Sequence, residues 1–163
     1  METTDVLVWW AHIAHDKVSY EIAMRGRDYV NRGMGVIFLH SAHMCRPMQL
    51  LLGTSCTLHW REGDKELIWC CDLAHPIARG VQNGIYLEEE EMYGEFFDIP
   101  KPDELVFISG FGGEEVFRSG CVWNRGYGKV FYFQPEVRKI IRNAAHYVGQ
   151  PFMKQEEIKC LPA

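Results

Sequence analysis

Two continuous apolar runs, DVLVWW (Asp5 to Trp10) and VIFLH (Val36 to His40), frame a segment of helical periodicity. An unbroken apolar run, rather than an alternating one, is the mark of a strand covered on both faces. In the intervening VSYEIAMRGRDYVNRG, Val18, Ile22, Tyr29 and Val30 fall near helical spacing, and Gly33 stands where the helix can end. Strand, helix and strand within this distance form a βαβ unit. Such a unit demands parallel strands and a right-handed crossover. The expected class is therefore α/β, a Rossmann- or flavodoxin-like open, mostly parallel sheet with helices on both faces.

The middle of the chain follows another pattern. CTLHWREGDKELIWC (Cys56 to Cys70) reads as two strands around a polar turn at Gly63–Asp64. AHPIARG reads as a loop. ELVFISGF, EEVFRSGCVW and GKVFYFQ, separated by glycine-bearing turns, read as three further strands, an antiparallel extension of the sheet. PEVRKIIRNAAHYVG carries Pro135 at its start and Gly149 at its end, the asymmetry preferred by helices. One domain over residues 1–149 and a patternless tail over 150–163 are expected.

Charge and composition exclude several classes. With 163 residues, 47% of them hydrophobic, the chain can bury a core without staples. Its net charge of -5 and lack of a basic stripe argue against nucleic acid. No apolar run reaches membrane-spanning length, and Met1 followed by ETTD is no export signal. The six cysteines match no zinc spacing, so they are expected to be reduced thiols of a cytoplasmic protein.

Ligands of an open parallel sheet sit outside the carboxyl ends of its strands. Here the first strand exits into WWAHIAHD and the second into LHSAHM, each with an HxxH: His12 and His15, then His40 and His43. If the strands are neighbours, four imidazoles and Ser41 gather at one rim. A single histidine at a strand end is usually structural; two such pairs at equivalent exits point to a site. A second polar cluster, LEEEEMYGEFFDIP (Leu87 to Pro100), is followed at once by Met92, Tyr93, Phe96 and Phe97. A run of acids is most often a solvated face, but Glu91 and Glu95 could turn inward as acid–base groups or hard ligands. FRSGCVWNRGYGK adds Arg118, Ser119 and Arg125 among glycines, a polar lining for a hydroxyl-rich ligand or simply a tight hairpin.

DVLVWWAHIAHDKV, GMGVIFLHSAH, LLGTSCTLHWRE, HPIARG, EEMYGEFFDIP, VFRSGC and GKVFYFQP, in this order from Asp5 to Gly149, resemble the ThuA-like family, named for a trehalose-utilisation protein. The resemblance implies a fold like the class I glutamine amidotransferases. It also implies a role in sugar metabolism, with disaccharides or their keto derivatives as substrates. The sequence departs from the family in two places. The family's usual first strand and helix, with an Asn, a Glu and a His, have no counterpart before Asp5. The Pro-Gly-His-Glu segment and Tyr-Pro loop expected after VFYFQ are replaced by Gln134–Pro135 leading into EVRKII. A sheet lacking its first strand leaves an apolar edge that invites pairing, so a homo-oligomer is expected.

Three function classes follow. The first is a sugar isomerase or hydrolase. The second is a non-catalytic sugar- or partner-binding relative. The third, a glutamine amidotransferase, requires an activated cysteine at the strand-to-helix elbow. This chain has HSAH at that point and Cys45 only later, which argues against it. A keto group acidifies the adjacent carbon–hydrogen bond, so an isomerase needs a base and a stabiliser for the enediolate. The expected roles are His12 and His43 as the proton-moving pair and Glu95 as the orienting carboxylate. His15, His40, Ser41, Glu91, Tyr93 and Arg118 are expected to contact substrate. A divalent metal at this rim is expected to be zinc or manganese.

Overall fold

The computed structural model describes residues 3–135 and 137–150; the expected C-terminal tail lies almost wholly outside them. In chain order come β1 (Val6–Trp10), α1 (Tyr20–Asn31), β2 (Gly35–Leu39), a 3₁₀ turn (His40–Met44) and α2 (Arg46–Leu52). Then follow β3 (His59–Cys70), β4 (Ile85–Gly94), β5 (Glu104–Phe111), β6 (Val116–Arg125), β7 (Gly128–Phe133) and α3 (Arg138–Val148).

The seven strands among the described residues form one sheet in the order β1-β2-β7-β6-β5-β3-β4. β1 pairs with β2, and β2 with β7, in parallel. The remaining four pairings are antiparallel. The sheet is thus mixed: a parallel section of three strands and an antiparallel section. The expected predominance of parallel pairing does not hold, because β5, β6 and β7 follow one another through short turns, which can only join antiparallel neighbours.

Helices cover both faces. On one, Val30 of α1 and Met48, Leu51 and Leu52 of α2 pack with Phe38, Trp123 and Tyr132. On the other, Ile140, Ala144 and Val148 of α3 pack with Ile37, Phe131 and Phe133. β2 is buried along its whole length, as its unbroken apolar run requires. β1 is the edge strand, and Val8 and Trp10 are about half exposed (47% and 49%), so its apolar run is covered less than expected.

One further expectation needs correction. Cys56 to Cys70 is not a hairpin. β3 runs unbroken from His59 to Cys70, and Gly63, at φ 72°, sits where the β3–β4 register shifts between Arg61 and Asp64. A glycine in the left-handed region suits a bulge as well as a turn. AHPIARG contains a short 3₁₀ turn, Pro76–Ala78.

The sheet curls. β4 is the edge opposite β1, yet its last residues return to the exits of the parallel strands. Met92 and Tyr93 are buried in the same cluster as Phe38 and Tyr132, and the Gln134 side chain donates to the Glu91 carbonyl at 3.1 Å.

Candidate functional site

β1 and β2 are paired in register, Trp10 opposite Leu39, so their exits lie side by side. His40 is the first residue past β2. Its φ of 52° places a non-glycine residue in the left-handed region at the strand-to-helix elbow. Such strain persists only where the surroundings hold it, and it concentrates at functional positions. The elbow thus carries an imidazole. Cys45 lies beyond it in the core, where burial pushes its thiol up to about 12, so it lacks the activation that a nucleophilic cysteine requires.

The rings around the elbow form a chain of contacts. His12 meets Trp10 edge-on at 5.0 Å and His40 edge-on at 4.9 Å. His40 stacks on Tyr93 at 5.2 Å, with the rings 7° from parallel. Its Nε2 lies 3.2 Å from Oε2 of Glu91, and the Tyr93 hydroxyl donates to the same oxygen at 3.2 Å. Two histidines from the β1 and β2 exits and a carboxylate from β4 therefore meet at one point. Their donor atoms all lie within 4.8 Å of one another.

His43 occupies the next turn, its ring edge-on to Tyr93 and Phe97. Its Nδ1 lies 2.7 Å from the Cys56 carbonyl oxygen. A carbonyl only accepts, so Nδ1 carries the proton and Nε2 is the basic nitrogen. Burial pushes His43 down to about 4, against the pull of that carbonyl, with smaller contributions from His15 and His40. Ser41 is buried and donates to the Ala11 carbonyl at 2.5 Å, tying the elbow to the β1 exit.

A cavity of about 220 Å³ opens here. It is lined by His12, Ser41, His43, Met44, Trp60, Glu91 and Tyr93. A second cavity of about 510 Å³ shares His12 and Met44, and it takes in His15, Arg46 and Gln49. Burial pushes His15 below the ordinary histidine value. Trp60 and Met44 are additions to the expected residues. Trp60 is 55% exposed on β3, and its place at the mouth follows from the curl of the sheet, which no local pattern encodes.

Glu95, the expected orienting carboxylate, and Arg118, the expected substrate contact, pair with each other. They line neither cavity. The Arg118 guanidinium grips Glu95 through Nε and Nη2, each at 2.8 Å, and also donates to the Phe97 carbonyl. The Glu95 carboxylate further accepts from the backbone N–H of Phe97 and of Arg118. The pair pins the segment after β4 to β6.

Fold and site together define a mixed α/β protein with a histidine- and carboxylate-lined rim at the parallel strand exits. The family model for ThuA, trehalose utilisation, matches residues 1–148, and the chain belongs to that family. A ThuA-like protein from Parabacteroides merdae superposes with a TM-score of 0.68 at 11% identity, over 89% of this chain and 70% of that one. A cytoplasmic protein from Salmonella typhimurium gives 0.62 at 12%, over 90% and 72%. A ThuA-like protein from Bacteroides uniformis gives 0.60 at 13%, over 88% and 69%. At such identities the likeness concerns the fold. No curated protein matches the chain. Among the described residues no helix is long and apolar enough to cross a membrane.

Proposed function

We propose that the rim binds a disaccharide carrying a keto group and moves a proton on the carbon beside that group. Membership of the trehalose-utilisation family supports the sugar class. The observation that carries the chemistry is the 2.7 Å contact between His43 Nδ1 and the Cys56 carbonyl. It fixes the tautomer that presents Nε2 as a base, and the ring lines the smaller cavity.

In this reading His43 takes the proton. His12, on the same cavity, gives a proton to the neighbouring carbon or to a leaving oxygen, and exchange with solvent returns both rings to their starting state. Glu91 replaces Glu95 as the orienting carboxylate, since Glu95 is committed to Arg118. Tyr93 and Ser41 shape the floor, and Trp60 offers an apolar face to the sugar ring at the mouth. His15 contacts the second sugar ring in the adjoining cavity. Residues 1–149 act as one cytoplasmic unit. A second copy against the half-exposed β1 edge makes the homo-oligomer, measurable by sedimentation.

The test is to incubate the protein with a 3-keto-disaccharide in deuterated water and follow the substrate by NMR. Exchange at the carbon next to the keto group, lost by roughly 10²-fold or more in His43→Ala, is expected. Saturable sugar binding with neither exchange nor turnover would identify a binding module instead. Exchange unaffected by His43→Ala would remove the assignment of the base.

A further inference from the structure

We infer that His12, His40 and Glu91 form a binding site for one divalent transition-metal ion, with zinc as the best-matched occupant. The site stands apart from the sugar reading, since the donor set alone defines it.

Two neutral imidazoles and one carboxylate are a recurrent set for a catalytic cation, leaving the remaining positions open to water or substrate. A tetrahedral ion with bonds of about 2.0–2.1 Å needs donor atoms roughly 3.3 Å apart. His40 Nε2 and Glu91 Oε2 already stand at 3.2 Å. The third donor, from His12, lies within 4.8 Å of both. His12 is exposed on the segment after β1, so its ring can close the difference by a small side-chain rotation. The other two donors are held. Stacking on Tyr93 fixes the plane of the His40 ring. The Tyr93 hydroxyl supplies Glu91 with the outer hydrogen bond that ligating carboxylates commonly receive.

The three donors come from three separate elements: the β1 exit, the elbow after β2 and the far edge strand β4. A simple ion pair would need only His40 and Glu91. His12, whose ring meets His40 edge-on at 4.9 Å, brings a second imidazole nitrogen to the same point as the carboxylate, the donor set a shared cation takes. The site also borders the smaller cavity through His12 and Glu91. A bound ion there could polarise a keto or hydroxyl oxygen; His12 is then a ligand and no longer the acid, and His43, outside the donor set, both takes the proton and gives it back.

Protein prepared without a histidine tag and stripped with a chelator is titrated with Co(II), followed by the visible absorption of the bound ion, and then with Zn(II). One equivalent of Co(II) should give a saturable visible band, and one equivalent of Zn(II) should abolish it. His40→Ala and Glu91→Ala should each weaken binding by at least about 10²-fold. His12→Gln, at an exposed position that leaves the core untouched, should do the same while the far-ultraviolet circular dichroism stays unchanged. His15→Ala should bind like the parent. No saturable binding overturns the site, as does binding that survives His12→Gln or is lost in His15→Ala. Metal binding without deuterium exchange on a keto-disaccharide sinks the sugar reading alone. Exchange by the metal-free protein without any metal binding sinks this inference alone.

Discussion

His40 Nε2 lies 3.2 Å from Glu91 Oε2, although β2 and β4 are separated by four other strands in the sheet. The curl of the sheet makes this contact, and with it the rim becomes a site rather than a row of strand ends. Glu91→Gln tests what the contact does. It preserves the size of the side chain and removes its charge. Proton exchange on a keto-disaccharide is expected to fall roughly 10²-fold, as for loss of a preorganised electrostatic group. The thermal midpoint should move by only a few degrees, since Glu91 is only partly buried. A loss of exchange explained by unfolding at assay temperature would count against an electrostatic role.

Delivery of His40 to the rim depends on how closely β2 approaches α3. A Cβ on Gly35 would meet the Val148 carbonyl oxygen at 2.3 Å and its carbon at 2.6 Å. These are backbone atoms at the end of α3, which cannot swing aside. Gly35→Ala is expected to cost roughly 2–3 kcal/mol, lowering the thermal midpoint by about 5–10 °C in a chain of this size. Gly26→Ala is the control. It lies inside α1, and its added Cβ meets nothing within 4 Å. There the gain in helix propensity should stabilise by about 0.5–1 kcal/mol. Equal effects at the two positions would contradict the packing described.

The parallel core was legible because its signal is local: an apolar run that exits into an HxxH, twice. The expected edge was legible too, since β1 has one neighbour. What the sequence does not carry is the partner of each exit. In EEEE, period-two alternation cannot say which glutamate faces the rim, and Glu91 and Glu95 were equally eligible. Only the return of β4 over β2 and β7 separates them. Gly63–Asp64 resembles a hairpin turn because a bulge uses the same residues. Pro47 near its start and Gly53 after its end mark α2, but seven residues are too few for a periodic pattern to stand out.

Glu95 and Arg118 are predicted to act on stability and not on turnover. Burial alone would raise the Glu95 carboxyl, but the Arg118 guanidinium and the backbone N–H groups of Phe97 and Arg118 outweigh it and hold the group below its ordinary value. A depressed folded value means stability present above the unfolded value and lost as pH falls through the folded one. Glu95→Gln should therefore cost about 1 kcal/mol near neutrality, a figure discounted for the partial exposure of the pair. That cost should shrink as pH falls from the ordinary glutamate value of 4.5 toward the lower folded one. Exchange activity of the folded variant should stay within about threefold of the parent, as expected for a residue that leaves the cavities unlined. A tenfold fall in activity at unchanged stability would restore Glu95 to the site.

Glu66 makes the opposite case. It is fully buried on β3, and neither carboxylate oxygen has a hydrogen-bond partner of good geometry among the described residues. Burial pushes its carboxyl up to about 8; the neighbouring Ser109 hydroxyl opposes the shift and Glu90 adds to it. Below about pH 4.5 the group is neutral whether the chain is folded or not, and it costs nothing. Between about 4.5 and 8 the unfolded chain releases the proton while the folded one keeps it. Stability contributed by the neutral carboxyl is therefore full below the lower value and is lost as pH rises through the upper one. Glu66→Gln replaces a titrating group by a neutral one of equal size. Relative to the parent it should be nearly neutral at pH 5 and should stabilise by roughly 2–4 kcal/mol at pH 8. Urea unfolding at pH 5, 6.5 and 8 measures the difference. A gap between variant and parent that stays constant with pH would mean that Glu66 is ionised in the folded protein, with a compensating partner that its surroundings do not supply.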